Sequence, residues 1–381
     1  MLEFIFFLPI VAVQLAVPNG IPFAFAVAAF LTAIPVALLK YGPDTTVSSS
    51  HTYIFLASLV VVGIQARHFP GMTVEAQNDF IFMCLTLTAL FSAIFTRTLN
   101  RRKIIMMTLN TSFLYALFAI YCHWNYWFPQ YLIYPPYAGT RWVGGLNGPN
   151  EFGQFYVLMS ALLAGAYLHG WISAKRAFVM FVIFGICIWY TYSRGSFIAL
   201  AGTMAIAVVI YVLIERRIWP ILLLGMAGAG VGYFILAKAL DSFSTVREKA
   251  TARDEIYEES LRLFLESPIF GKGFGGFADY STLEFGTPHS DYLYFAISGG
   301  IVALLWLVVF QIYLLRRAWK SQFYPEFLMF IAFMASGLTF NNMVRGRLSI
   351  IYLIVTLAFL VTPRAVQRMK RVSEARQPQE A

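Results

Sequence analysis

Long apolar runs dominate this chain and leave it few ways to fold. Stretches able to cross ~30 Å of hydrocarbon occur at 3–17, 21–39, 52–67, 76–96, 104–126, 152–173, 177–192, 196–214, 218–238, 291–315, 326–341 and 347–362. A backbone in lipid must satisfy its own polar groups, so the runs predict an all-α polytopic bundle of about twelve transmembrane helices. Composition agrees: of 381 residues, 59% are hydrophobic and 12% charged, with a mean hydropathy of +0.68. Those values exclude a soluble globular fold.

Residues 1–381 read as one integral membrane domain, interrupted by a single long polar loop at 239–290. No internal repeat is evident, which weakens a transporter reading built on repeated halves. The opening MLEFIFF carries Glu3 and no basic segment, so the first run reads as an uncleaved span. Cys84, Cys122 and Cys187 fall inside spans without a CxxC, and no disulfide framework follows. The five histidines lack an HExxH or similar spacing, and neither a metal nor a cofactor is expected.

The net charge of +9 is explained by topology, not by nucleic acid. Basic residues crowd alternate connections: Arg97, Arg101, Arg102 and Lys103, then Lys175 and Arg176, then Arg216 and Arg217, then Arg316, Arg317 and Lys320. The tail over 363–381 adds Arg364, Arg368, Lys370 and Arg371. The positive-inside rule then predicts both termini in the cytoplasm and the loop at 239–290 outside.

That outer side still holds Arg141, Arg194, Arg247, Arg253, Arg262, Arg345 and Arg347, although the same rule predicts depletion there. A guanidinium stays charged near low-dielectric surroundings and grips phosphate or carboxylate with two parallel bonds. Individually these residues suit interfacial anchoring. As a set they predict convergence on an anionic, membrane-embedded substrate.

Three motifs stand on that side. In TRWVGGLNGPNEFGQFYV, the glycines specify a tight turn and Pro149 opens a helix. Asn147 and Asn150 offer amides to sugar hydroxyls, and Asn150 equally suits a helix cap. In YTYSRGSFIAL, Arg194 lies between two apolar runs with almost no loop, and Gly195 is the expected point of reversal. An arginine so near hydrocarbon costs a few kcal/mol unless paired or hydrated.

Within the loop, Thr251 and Asp254 resemble a capping box for a helix to about Glu266, ended by Pro268. Tyr257, Leu261, Phe264 and Leu265 form its expected apolar face, suited to the membrane surface or the bundle. Gly271, Gly273, Gly275 and Gly276 read as a flexible turn, not a dinucleotide fingerprint, since no strand precedes them. His289 follows Pro288 just before the span at Asp291, where a neutral imidazole can accept a proton from an attacking hydroxyl.

Taken in order, RWVGGLNGPNEFGQF, YSRGSFIAL, ARDEIYEESLRLFLESPIFGKGFGGF and PHSDYLYFAISGGIVALL resemble the O-antigen ligase and polymerase superfamily of bacterial membrane glycosyltransferases. The resemblance covers about residues 140 to 315. It implies an undecaprenyl-diphosphate-linked glycan donor, the periplasmic face of the inner membrane, and no nucleotide sugar or metal. Partners would be that donor, a lipid A-core or lipid-linked glycan acceptor, and membrane lipids. By position, His289 matches the histidine that activates the acceptor hydroxyl, and Arg194 and Arg253 match arginines that engage the diphosphate. Arg141, Asn147 and Asn150 match the motif before the sixth span, with Arg247 and Arg345 as further substrate contacts. The family often carries Asn directly after the histidine; this chain has Ser290 and then Asp291, so Asp291 is the candidate orienting group.

Ligation of finished polymer onto lipid A-core and polymerisation of lipid-linked repeat units both fit these motifs. The single dominant loop leans toward ligation. Attachment of glycan to a protein is a related outcome. A glycolipid transporter is the competing class, but its polar residues should lie deep in several spans, and here they cluster at the outer ends and in one loop.

Overall fold

The computed structural model describes residues 57–58, 60–61, 63–65, 101–124, 142, 148–215, 254–283 and 288–338. Among them every regular element is helical. In chain order these are α1 (Arg101–Trp124), α2 (Pro149–Leu168), α3 (Ala174–Thr191), α4 (Arg194–Glu215), α5 (residues 254–266), α6 (Gly276–Tyr280), α7 (Asp291–Lys320) and α8 (Tyr324–Gly337). The residues described within 57–65 are helical as well. The spans expected at 3–17, 21–39, 76–96, 218–238 and 347–362 lie outside the described residues, as does most of 52–67.

Among the described residues, four helices are long and apolar enough to cross a membrane: Arg102–Trp124, Ala174–Thr191, Arg194–Ile214 and Asp291–Lys320. Each coincides with an expected span, and α2 and α8 coincide with two more. Helix α2 is the centre of the bundle and is buried on nearly every side from Glu151 to Ala166. It packs against α3, α4 and α8. Its core contacts are aromatic: Phe152 and Phe155 both meet Tyr156 edge to face, with ring centroids at 5.0 and 4.8 Å.

Glycine sets the registration of α2 and α8. A Cβ on Gly165 would run into the backbone of Tyr324 and Pro325, so the far end of α2 lies directly on the start of α8. Helix α8 then climbs antiparallel to α2, rising about 18 Å by Gly337. Gly153, a similar distance back along α2, is therefore level with Gly337.

Helix α7 departs from the single span expected at 291–315. Gly300 has φ 64° and ψ −159°, which breaks the helix. The Tyr292 hydroxyl donates to Gln311 Oε1 at 3.1 Å, across 19 residues that a straight helix would hold about 28 Å apart. Phe295 also stacks on Trp306 at 5.8 Å. The chain therefore doubles back at Gly300 as a helical hairpin. Its second limb, residues 301–320, is the rod of membrane-spanning length. Apolar composition alone does not reveal such a reversal, because both limbs are equally greasy.

Candidate functional site

The α3–α4 turn is built by its hydroxyls. Tyr192 ends α3 in the left-handed region, at φ 50° and ψ 30°. The reversal thus falls on Tyr192, not on Gly195, which lies inside α4. Ser193 fills the N-cap position: its Oγ accepts from Ser196 N at 3.4 Å and from Ser196 Oγ at 2.9 Å. Thr191 Oγ1 in turn accepts from Ser193 N at 3.2 Å. Gly153 of α2 lies against this turn, and a Cβ there would sit 2.5 Å from Ser196 Oγ and 2.9 Å from Thr191 Oγ1.

Arg194 is consequently the first residue of α4, exposed, and makes no hydrogen bond or ion pair among the described residues. A cation in the first turn opposes the helix dipole, so helix stability does not account for it. Trp142 is fixed against the end of α3. Trp142 N donates to Tyr190 O at 2.9 Å, and its ring is sandwiched between His123 and Tyr190 at 4.5 and 4.2 Å.

His289 stands at the junction of loop and α7, half-buried, with φ 51°. Pro288 and Ser290 on either side are buried. Ser290 is the N-cap of α7, and its Oγ donates to Gly337 O at 3.2 Å. Asp291 follows as the first residue of α7, fully buried at 0% exposure, with Oδ2 2.9 Å from where a Gly337 Cβ would be. Because Gly337 is level with Gly153, the His289–Asp291 junction and the Arg194 turn come to the same end of the bundle. Asn150 joins them from the first turn of α2; Gly148, in extended conformation, takes the N-cap position there, so Asn150 is not the cap. Arg141, Asn147, Arg247, Arg253 and Arg345 lie outside the described residues, as do Thr251 and Arg347.

Two polar side chains at this end were not picked out from sequence. Glu151 is 2% exposed in the first turn of α2, and Gln154 is buried one turn further in. Both sit in the NEFGQF stretch, and an acid within an otherwise apolar run was the available signal.

The loop is less of a free arm than its polarity suggests. Helix α5 packs through Ile256, Glu259, Ser260 and Leu263, not through the expected stripe. Tyr257, Leu261 and Leu265 are exposed, the last two at 55% and 63%. The inward face works because Glu259 is neutralised locally. Arg262 grips both of its carboxylate oxygens at 2.8 Å, and Thr282 N donates to Oε1 at 2.8 Å. These bonds, Arg262's first, hold the Glu259 carboxyl down at about 2. Arg262 also bonds Glu266, which meets Lys272 at 2.5 Å. Arg262 is therefore committed within the loop and leaves the set of arginines expected to converge on substrate.

Gly271, Gly273 and Gly275, at φ 64°, 91° and 85°, form a buried turn instead of a flexible one. Lys272 N and Gly273 N donate to Ile297 O and Ser298 O at 2.6 and 2.9 Å, and Ile301 N donates to Pro268 O at 2.8 Å. The loop thus clamps the apex of the α7 hairpin, where Gln65 Nε2 also reaches Ser298 Oγ at 2.7 Å. Through α7 the loop fixes the position of His289.

Comparison with curated proteins returns no match. A family model described as O-antigen ligase matches residues 179–308, roughly a third of the chain. That stretch runs from α3 through the Arg194 turn, the loop and the His289 junction to the second limb of α7. Over these residues the chain is similar to the O-antigen ligase family.

Proposed function

We propose that the chain is a membrane glycosyltransferase of the O-antigen ligase type. It moves a glycan from an undecaprenyl-diphosphate carrier to lipid A-core at the periplasmic face of the inner membrane. On this reading about twelve spans cross the bilayer, residues 239–290 lie outside, and both termini and the 363–381 tail are cytoplasmic. The reading is supported by the Arg194 turn and the His289 junction lying toward the same end of the bundle, both inside the matched domain.

The chemistry follows from the residue types. The acceptor hydroxyl attacks the anomeric carbon of the diphosphate-linked sugar while His289 takes its proton. The bond from that carbon to the diphosphate oxygen breaks, and the electron pair leaves with the diphosphate. Arg194 and Arg253 stabilise the charge that develops there, an interaction strongest in the transition state. Direct displacement inverts the anomeric centre. Asp291 orients the histidine, and Arg141, Asn147, Asn150, Arg247 and Arg345 contact the glycan and its phosphates.

The test is reconstitution in proteoliposomes with undecaprenyl-diphosphate glycan and either lipid A-core or a second lipid-linked glycan. New glycoconjugate on lipid A-core without an energy source supports ligation. Elongation of the lipid-linked glycan alone would move the assignment to a polymerase. Lipid movement without chemistry would overturn both.

A further inference from the structure

A groove of about 480 Å³ runs between α1 and α3, at the opposite end of the bundle from His289. Its apolar walls are Phe113, Leu114, Val179 and Met180. Lys175, Arg176 and Asn110 line it as well. Its volume lies within the range of small-ligand sites, about 300–1,000 Å³.

Depth gives the groove a chemical polarity. Helix α3 has 18 residues and so spans about 27 Å, close to the hydrocarbon thickness of a bilayer. With Thr191 at one boundary, Lys175 and Arg176 in the first turn lie at the other, at headgroup level. Val179 and Met180 lie one turn further in, at acyl depth. Charge is available at the mouth: Lys175 has no ion pair among the described residues. Arg176 is exposed and uses Nη2 to reach Asn110 Oδ1 at 2.7 Å, leaving further N–H groups on its fork. Arg102 and Lys103 at the head of α1 extend the positive field below.

We propose that this groove is a binding site for an anionic phospholipid. The phosphate-bearing headgroup pairs with Lys175 and Arg176, and one acyl chain lies against Phe113, Leu114, Val179 and Met180. Cations at the mouth select for charge, and the apolar walls require a chain, which distinguishes a lipid from a free phosphate. The site is independent of the transfer reaction proposed above.

Native mass spectrometry of the full-length protein, in micelles holding equal phosphatidylglycerol and phosphatidylcholine, tests it. Retained phosphatidylglycerol should exceed phosphatidylcholine by about fivefold for each cation engaged. K175Q/R176Q should abolish that preference. V179W, at an exposed wall position, should lose the retained lipid while keeping charge and topology intact. Equal retention of the two lipids by the wild-type protein would overturn the proposal. So would an unchanged preference in V179W, or displacement of the lipid by millimolar inorganic phosphate.

Discussion

The Asp291 carboxylate lies so close to Gly337 that a methyl group there would stand 2.9 Å from Oδ2. With the Ser290–Gly337 hydrogen bond, this contact fixes the head of α7 to the end of α8. Gly337→Ala should displace the His289–Asp291 junction while leaving the rest of the bundle in place. We expect at least a tenfold loss of transfer, since a small misplacement of reacting groups costs that much or more, with little change in thermal midpoint. Paired rate and melting measurements on the purified variant check the split; equal loss of both would mean the contact is only structural.

Gly300 should respond differently. Its positive φ is strained for any side chain, and a Cβ would run into the carbonyl of Ile269. Gly300→Ala should therefore cost at least about 1–3 kcal/mol, opening the hairpin and freeing the loop clamp. Thermal denaturation in detergent should show a clear drop. Ser298→Ala removes the bond from Gln65, worth about 1 kcal/mol, and a longer one to Phe295 O at 3.5 Å, and should drop less.

The loop should loosen in acid. Glu259 is held at about 2, below its ordinary value of 4.5, by Arg262 first and Thr282 after it. A depressed carboxylate contributes its full stabilisation above about 4.5 and loses it as pH falls toward 2. Hydrogen exchange at the Thr282 amide, which donates to Glu259, should lose protection across that window once intrinsic rates are corrected. Glu259→Gln should flatten the dependence.

Sequence patterning made most of these spans legible, because a helix in lipid must be both long and apolar; five expected runs coincide with single helices, and the sixth, 291–315, reverses at Gly300. It also singled out Arg194 and His289, since a cation or imidazole beside hydrocarbon asks for a reason. What stayed hidden were features set by tertiary contacts. The reversal at Gly300 depends on a glycine within an unbroken apolar run, one among many in this chain. The inward face of α5 includes Glu259, a charged residue that is buried because Arg262 and Thr282 bond its carboxylate. Glu151 is buried by the packing of α2 at the centre of the bundle, which its place beside Asn150 does not reveal.

The central claim is that His289 and Arg194 act on one substrate in one reaction. The most direct measurement is the transfer rate of His289→Ala and Arg194→Ala in proteoliposomes, with insertion and folding verified for each. Both should fall at least a hundredfold, the scale of general-base and charge-stabilising groups. Transfer at the wild-type rate by either correctly inserted variant would contradict the account.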